Sequence, residues 1–200
     1  WLHGKDLRVT SSRAMLNDGS SLSAEYEEVL DSGVAALRFP QVIPAGEISL
    51  ELQYNADFDR NLTGLFKVEE QGEIYALAKS ESIQARRYLP SFDEPGLKAS
   101  YNLSLTVPNG YQTITNTPEL KREAVGEGME RVTYARSRPM PTYLLSLAVG
   151  PFDVVERPPL PANEFRSEPI PLRGFTRKGR GGDMNYILDI TPRMVEIYER

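Results

Sequence analysis

Two stretches of the chain alternate apolar and polar residues with a period of two. From Glu47 to Tyr54 every second residue is apolar, and the residues between them are polar. The same alternation runs from Tyr101 to Val107. Successive side chains of an extended strand point to opposite faces, so this pattern predicts strands with one buried and one solvated face.

Shorter and less regular apolar runs predict further strands, at residues 34–39, 62–68, 74–78, 130–136 and 143–149. Groups of Gly, Pro, Asn and Asp separate them and predict turns, at residues 17–19, 44–46, 108–110 and 126–128. Many short strands at this spacing, with few helical patterns between them, predict an all-β chain. We expect an antiparallel β-sandwich or a saddle-like sheet assembly.

The pattern changes after Glu156, where the chain becomes rich in proline. Proline cannot donate a ladder hydrogen bond, so we expect little regular structure here, apart from a last edge strand at Pro171–Phe175. Residues 177–183, RKGRGGD, are basic and rich in glycine, which predicts an exposed linker.

From Met184 to Arg200 the apolar residues recur with helical spacing. They form one stripe, and Pro192 predicts a kink; the stripe consists of Ile187, Ile190, Met194 and Ile197. We therefore expect a β-domain at 1–176, a linker at 177–183 and a helix at 184–200.

Composition excludes several classes of function. The 200 residues are 40% hydrophobic and 26% charged, which is typical of a globular domain. The net charge of −5 gives no electrostatic support for binding a phosphate backbone, so we expect no nucleic-acid partner. No apolar run reaches the roughly 18 residues of a membrane span. The chain has no cysteine, which excludes a thiol nucleophile and leaves the compartment open.

His3 is the only histidine of the chain. A Ser-His-Asp triad would need it at a terminus, and an H-E-x-x-H zinc helix needs a second histidine. We therefore expect His3 to be an exposed terminal residue, and the chain to bind no metal of its own.

Asp93 and Glu94 are adjacent carboxylates, a pair that in other proteins serves acid–base or metal chemistry. Neighbouring residues on an extended chain point to opposite faces, which favours a cap of a tight turn closed by Pro95. Arg86 and Arg87 are likewise expected to hold a loop by salt bridges.

One segment is specific enough to indicate a family. Residues 78–98 read AKSESIQARRYLPSFDEPGLK. This resembles the stretch of M1-family aminopeptidases that ends F-P-x-F-D-E-P, which here runs from Leu89 to Pro95. The family stretch also carries a glutamate followed five residues later by an arginine, matched by Glu81 and Arg86. The structural part of the motif is thus Arg86, Phe92, Asp93, Glu94 and Pro95.

Other segments follow in the order of the family. Gly64-Leu65-Phe66 resembles a short strand before the motif, and Met140–Leu144 resembles its M-P/S-T-Y-L strand. The final helix resembles the first helix of the catalytic domain. The chain begins at Trp1 and stops within this helix, so we expect the truncated N-terminal domain of a longer enzyme. Together with the resemblance we expect a bacterial source.

The resemblance implies a zinc aminopeptidase that removes N-terminal residues from peptides. Its H-E-x-x-H helix, its later zinc-binding glutamate and its G-x-M-E-N strand are absent from this chain; Gly128–Arg131 is interpreted as a hairpin turn instead. The zinc ligands would lie outside the chain. The implied partners are peptide substrates and the protein's own catalytic domain, and we expect no hydrolysis by this chain alone.

The resemblance also implies a substrate-binding residue. The glutamate at the position of Glu81 binds the α-ammonium group of the substrate. The family's threonine and glutamine are replaced by Ala78 and Lys79. Lys79 leaves four possibilities open: a side chain pointing away from the site, a pair with Glu81 that weakens amine binding, altered specificity, or a non-peptidase homologue.

A non-catalytic β-sandwich binding module is the alternative from another class. It would explain the strand pattern and the single histidine. It would not explain the FDEP segment or the order of the other segments.

Overall fold

The computed structural model describes residues 1–200 and confirms a fold of mostly antiparallel strands. Short 3-10 turns lie at Ala85–Arg87, Thr142–Leu144 and Gly181–Asp183. The one α-helix is α1, Met184–Tyr198. The strands are β1 (Leu2–His3), β2 (Arg8–Met15), β3 (Ser21–Ser23), β4 (Glu25–Leu30), β5 (Val34–Arg38), β6 (Ser49–Asn55), β7 (Gly64–Glu70), β8 (Glu73–Lys79), β9 (Ser104–Pro108), β10 (Gln112–Thr115), β11 (Glu119–Gly126), β12 (Met129–Tyr134), β13 (Leu147–Gly150), β14 (Asp153–Leu160) and β15 (Ile170–Thr176).

The strands form five small sheets. Their strand orders are β3-β2-β6, β1-β5-β4, β10-β13-β8-β7, β11-β12-β9 and β14-β15. The chain divides into two compact units, residues 1–109 with 113–149, and residues 150–200 with 110–112. The hairpin β14-β15 and α1 all belong to the second unit. The domain boundaries expected at 176 and 183 concern a longer protein and stay a prediction.

Both alternating stretches contain a strand, as predicted, but β6 begins at Ser49 and β9 only at Ser104. Ile48 and Leu50, expected on the buried face of the first stretch, are exposed. In β6 the half-buried side chains are Leu52 and Tyr54, with exposed neighbours between them. Around β9 the alternation of exposure extends from Tyr101 to the buried Val107. The shorter apolar runs lie on β5, β7, β8 and β12, whereas the run at 143–149 begins in a 3-10 turn before β13.

Several strands without a clear apolar pattern were missed. In β2, β4 and β11, cross-strand ion pairs accompany the backbone ladder. Arg13 of β2 lies 2.5 Å from Glu51 of β6, and Arg122 of β11 pairs with Glu130 of β12. Opposite charges on neighbouring strands stabilise a sheet, so charged residues do not exclude a strand.

The expectation of little regular structure after Glu156 was wrong for the first prolines. β14 continues through Pro158 and Pro159 to Leu160. The ladder with β15 shifts register between Arg157 and Leu160, which accommodates two residues that lack an N–H group. The predicted edge strand at Pro171–Phe175 is confirmed by β15.

The helix α1 packs on this hairpin through one of its two apolar faces. Leu188 is buried against Leu160 and Leu172, with Met184 and Val195 beside it. The backbone of β15 at Gly174 lies close to the side chains of α1, because a Cβ atom on Gly174 would lie 2.7 Å from Cε of Met184.

The apolar stripe predicted from the sequence lies on the other face of α1. All four of its side chains are exposed: Ile187, Ile190, Met194 and Ile197. Pro192 lies inside α1, and the helix continues beyond it to Tyr198. No helix of the chain has the length and apolar character needed to cross a bilayer.

Candidate functional site

The segment that follows β8 carries the residues of the sequence motif. Lys79 and Glu81 are exposed at its start, while Ser80 between them is buried. The side chains of Lys79 and Glu81 form no hydrogen bond or ion pair with the rest of the chain. The peptide bond between Glu81 and Ser82 is cis.

Buried hydrogen bonds hold the residue before Glu81. The hydroxyl groups of Ser80 and Tyr88 lie 2.8 Å apart, and the Gln84 N–H donates to the Ser80 carbonyl at 2.9 Å. The Tyr54 hydroxyl donates to the Tyr88 carbonyl at 2.9 Å. Burial raises the pKa of Tyr88 and of Tyr54, so both phenols stay neutral. These bonds fix the backbone from which Glu81 projects.

A buried ion pair joins the two ends of the motif. Asp93 is fully buried, and its Oδ2 accepts hydrogen bonds from Nε and the backbone N–H of Arg86, at 2.9 and 3.2 Å. The Thr142 hydroxyl donates to its other oxygen. The Arg86 guanidinium also donates to the carbonyl groups of Ser32 and Asp93, at 2.8 Å each. Each nitrogen of the Arg86 guanidinium and each oxygen of the Asp93 carboxylate thus has a hydrogen-bond partner, which offsets the cost of burying the two charges.

Gly33 makes room for this arginine. Its φ of +86° is in the left-handed region, and a Cβ atom there would lie 2.9 Å from Cδ of Arg86. A larger residue would meet both a strained backbone and the arginine side chain.

The two adjacent carboxylates occupy opposite environments, as the extended-chain argument predicted. Asp93 is fully buried, whereas the Glu94 side chain is 54% exposed. The expectation that they cap a turn was wrong for Asp93, because its carboxylate pairs with Arg86. The turn is closed by backbone bonds instead, from Leu97 N–H to the Glu94 carbonyl at 2.9 Å.

His3 is part of this site and is not the exposed terminal residue that we expected. Its side chain is only 16% exposed. Backbone bonds of 2.7 and 2.9 Å pair His3 with Ser91. Its Nδ1 accepts a hydrogen bond from the Asp93 N–H at 3.1 Å, and its Nε2 lies 3.5 Å from the Glu94 carboxylate. The strand β1 thus brings a distant side chain onto the motif.

The surroundings of His3 favour its neutral form. Burial lowers its pKa below the usual 6.5, and the Arg86 charge lowers it further, against weaker opposing effects of Glu94 and Asp93. The hydrogen bond to Nδ1 has the same consequence, because a protonated Nδ1 has no lone pair to accept it.

The second arginine holds another loop. Nη1 of Arg87 lies 3.3 Å from Oδ2 of Asp59, and its Nε donates to Gln84 at 2.7 Å. The expectation that Arg86 and Arg87 form salt bridges within loops is therefore confirmed. The motif residues Phe92 and Pro95 lie at the surface.

The side chains of this chain do not fit a zinc site. No group of three His, Cys, Asp or Glu side chains converges so that it could hold a metal ion. The Asp93 carboxylate already forms an ion pair with Arg86.

Comparison with known proteins identifies the family. Residues 1–144 match the family profile of the Peptidase M1 N-terminal domain. The chain belongs to this family. Aminopeptidase M1-D of Oryza sativa subsp. japonica is 29% identical over 99% of the chain and 22% of its own length. The Glutamyl aminopeptidase of Mus musculus is 30% identical over 75% of the chain and 16% of its own length. That of Homo sapiens is 26% identical over the whole chain and 21% of its own length.

The chain of this M1 N-terminal domain therefore spans about a fifth of the length of these curated relatives. They come from plants and mammals, so the expected bacterial source stays a prediction. The sequence motif contains Glu81, Arg86 and Asp93, but no local pattern indicates the contacts that His3 and Thr142 make with Asp93. Thr142 stands in the quoted M-P-T-Y-L segment, which was the available signal.

Proposed function

We propose that this chain is the substrate-capping N-terminal domain of a zinc aminopeptidase, and that Glu81 binds the α-ammonium group of the peptide. One observation carries the proposal: the Glu81 carboxylate is exposed and unpaired, on a segment fixed by buried bonds on both sides. The aminopeptidase names of the relatives support the activity. The motif residues Arg86 and Asp93 position this segment.

A fixed carboxylate explains the exopeptidase action. A free N-terminus carries an ammonium group, and a charge-assisted hydrogen bond to Glu81 would select it over a blocked terminus. Holding that group also fixes which peptide bond reaches the reaction centre. Hydrolysis breaks the C–N bond after the first residue, and water supplies the hydroxyl to the carbonyl carbon and the proton to the leaving amine.

The zinc ligands of this enzyme lie in the rest of the protein, because residues 1–200 offer no such set. In this proposal residues 1–176 form the capping domain, 177–183 the linker and 184–200 the first helix of the catalytic domain. The exposed stripe Ile187, Ile190, Met194 and Ile197 supports this role for α1, since exposed apolar faces of this kind are typical of interfaces.

The test uses Glu81→Gln in the full-length protein, with Glu69→Gln as the matched control. Glu69 is an exposed glutamate of β7 and undergoes the same change of charge. In the proposed complex the substrate and the catalytic domain bury this charge pair, and losing one partner of a buried hydrogen-bonded charge pair costs about 2–5 kcal/mol. We therefore expect kcat/KM on free-amine peptides to fall at least about tenfold for Glu81→Gln, since 1.36 kcal/mol is a factor of ten.

The control and the melting temperature separate this role from a structural one. Glu69→Gln should keep the wild-type kcat/KM, and both variants should melt within a few degrees of the wild type. Wild-type kcat/KM in Glu81→Gln would contradict the proposal.

A further inference from the structure

Lys79 and Glu81 place opposite charges at the surface, two residues apart in the sequence. Between them, the Ser80 hydroxyl is directed inward to Tyr88, and its residue is only 3% exposed. Lys79 ends β8 and Glu81 begins the turn that follows, and both residues are exposed, one on each side of the buried Ser80 in the sequence.

These two charges do not neutralise each other. The two residues are separated by one other residue, so their Cα atoms are at most about 7 Å apart. No ion pair within 4.0 Å joins Lys79 to Glu81, and neither has another charged partner in the chain. The surface thus offers an anion and a cation side by side, each with its charge available to a ligand.

A ligand that matches this pair carries an ammonium and a carboxylate group a few bonds apart. We propose that Lys79 is a specificity-determining residue that favours peptides with an N-terminal aspartate or glutamate. The inference rests on the proposed function, in which Glu81 holds the α-ammonium group. The side chain of that same residue branches from the carbon that bears the ammonium, so its carboxylate lies within reach of a neighbouring cation.

The charge of Lys79 discriminates in both directions. An acidic first residue gains attraction to Lys79, whereas its neutral amide counterpart does not. A basic first residue meets a like charge. Specificity then comes from attraction to one substrate class and repulsion of another.

A different role of Lys79 makes a different prediction. If Lys79 paired with Glu81 and competed with the ammonium group, its removal would raise turnover of every substrate by the same factor. The lack of an ion pair between the two side chains favours the specificity role.

The experiment measures kcat/KM of the full-length protein on four aminoacyl-para-nitroanilides, with Glu, Gln, Ala and Arg as the amino acid. Glu and Gln have the same shape and differ in charge. We expect Lys79→Gln to lower the Glu-to-Gln ratio of kcat/KM at least about tenfold, and Lys79→Glu to shift preference towards Arg.

Lys67→Gln is the matched control. Lys67 is an exposed lysine of the neighbouring strand β7, and it faces Ala76, three residues along β8 from Lys79. It therefore lies about 10 Å away along the sheet, a distance at which salt screens exposed charges. Its replacement removes the same charge and should leave the Glu-to-Gln ratio unchanged.

The outcomes separate this inference from the function on which it rests. An unchanged ratio in Lys79→Gln, or an equal rise on all four substrates, overturns the specificity role. If Glu81→Gln still lowers turnover of all four, the proposed function stands. Absence of turnover by the wild type, or no effect of Glu81→Gln, would overturn the proposed function together with the inference.

Discussion

Replacing Asp93 by asparagine removes the carboxylate that neutralises the buried Arg86 guanidinium. The two side chains are 0% and 6% exposed, and Nε lies 2.9 Å from Oδ2. Removal of one partner leaves a buried charge without compensation, which costs about 3–5 kcal/mol. The carboxylate also accepts from the Arg86 N–H and from Thr142, so the amide loses acceptor capacity there as well.

Urea unfolding followed by circular dichroism measures this loss. With a typical slope of about 2 kcal/mol per molar urea, the midpoint for Asp93→Asn should fall by about 2 M. The double variant Arg86→Met with Asp93→Leu should recover part of the loss, because it removes both charges together.

Asp57→Asn is the control for this experiment. Asp57 pairs with Arg8 through two bonds of 2.6 and 2.7 Å, but both side chains are more than half exposed. Exposed pairs contribute about 0–1 kcal/mol, so the midpoint should hardly move. Equal shifts for Asp93→Asn and Asp57→Asn would refute the argument that burial, and not the shortness of the bonds, sets the magnitude.

Two further predictions concern His3 and Gly174. The pKa of His3 is lowered on folding, so its contribution to stability is complete above about pH 6.5 and is lost as the pH falls through the folded value. In His3→Asn the side-chain amide still offers an acceptor for the Asp93 N–H, but it does not take up a proton. The urea midpoints of this variant at about pH 7.5 and 5.5 should therefore differ less than those of the wild type. An unchanged difference would show that protonation of His3 does not destabilise the fold. Gly174→Ala places a methyl group 3.2 Å from Cβ of Met184 and from Cδ1 of Leu188, and should cost about 1 kcal/mol by overpacking, measured as a lower melting temperature. An unchanged melting temperature would show that α1 shifts without cost.

The parts of the fold that could be predicted are those encoded by local patterns. In β6 and β9 one face of the strand is more buried than the other, and this difference shows in the sequence as alternating apolar and polar residues. Strands such as β11 could not be found in this way. Arg122 in β11 is stabilised by Glu130 on the partner strand, and charged residues in isolation favour an exposed loop equally well.

The candidate site likewise contains residues that a local pattern indicates and residues that only the fold brings together. Glu81, Arg86 and Asp93 stand close together in the sequence, and their spacing identified them. Two partners of Asp93 are far from it in the sequence: His3 is 90 residues away and Thr142 is 49 residues away. Which distant residue meets a buried carboxylate is decided by strand pairing, here that of β1 with Ser91, and no local pattern encodes it.

The long-range bonds of Arg86 and Asp93 also affect the order in which the chain folds. They close loops of 49, 54 and 90 residues, and the entropy of closing such loops is lost before their bonds form. Three distant parts of the chain therefore have to assemble before Arg86 and Asp93 have all of their bonds. Hydrogen exchange at the Asp93 amide should then follow global unfolding and not local opening, because its contacts come from parts of the chain that separate only when the sheets unfold.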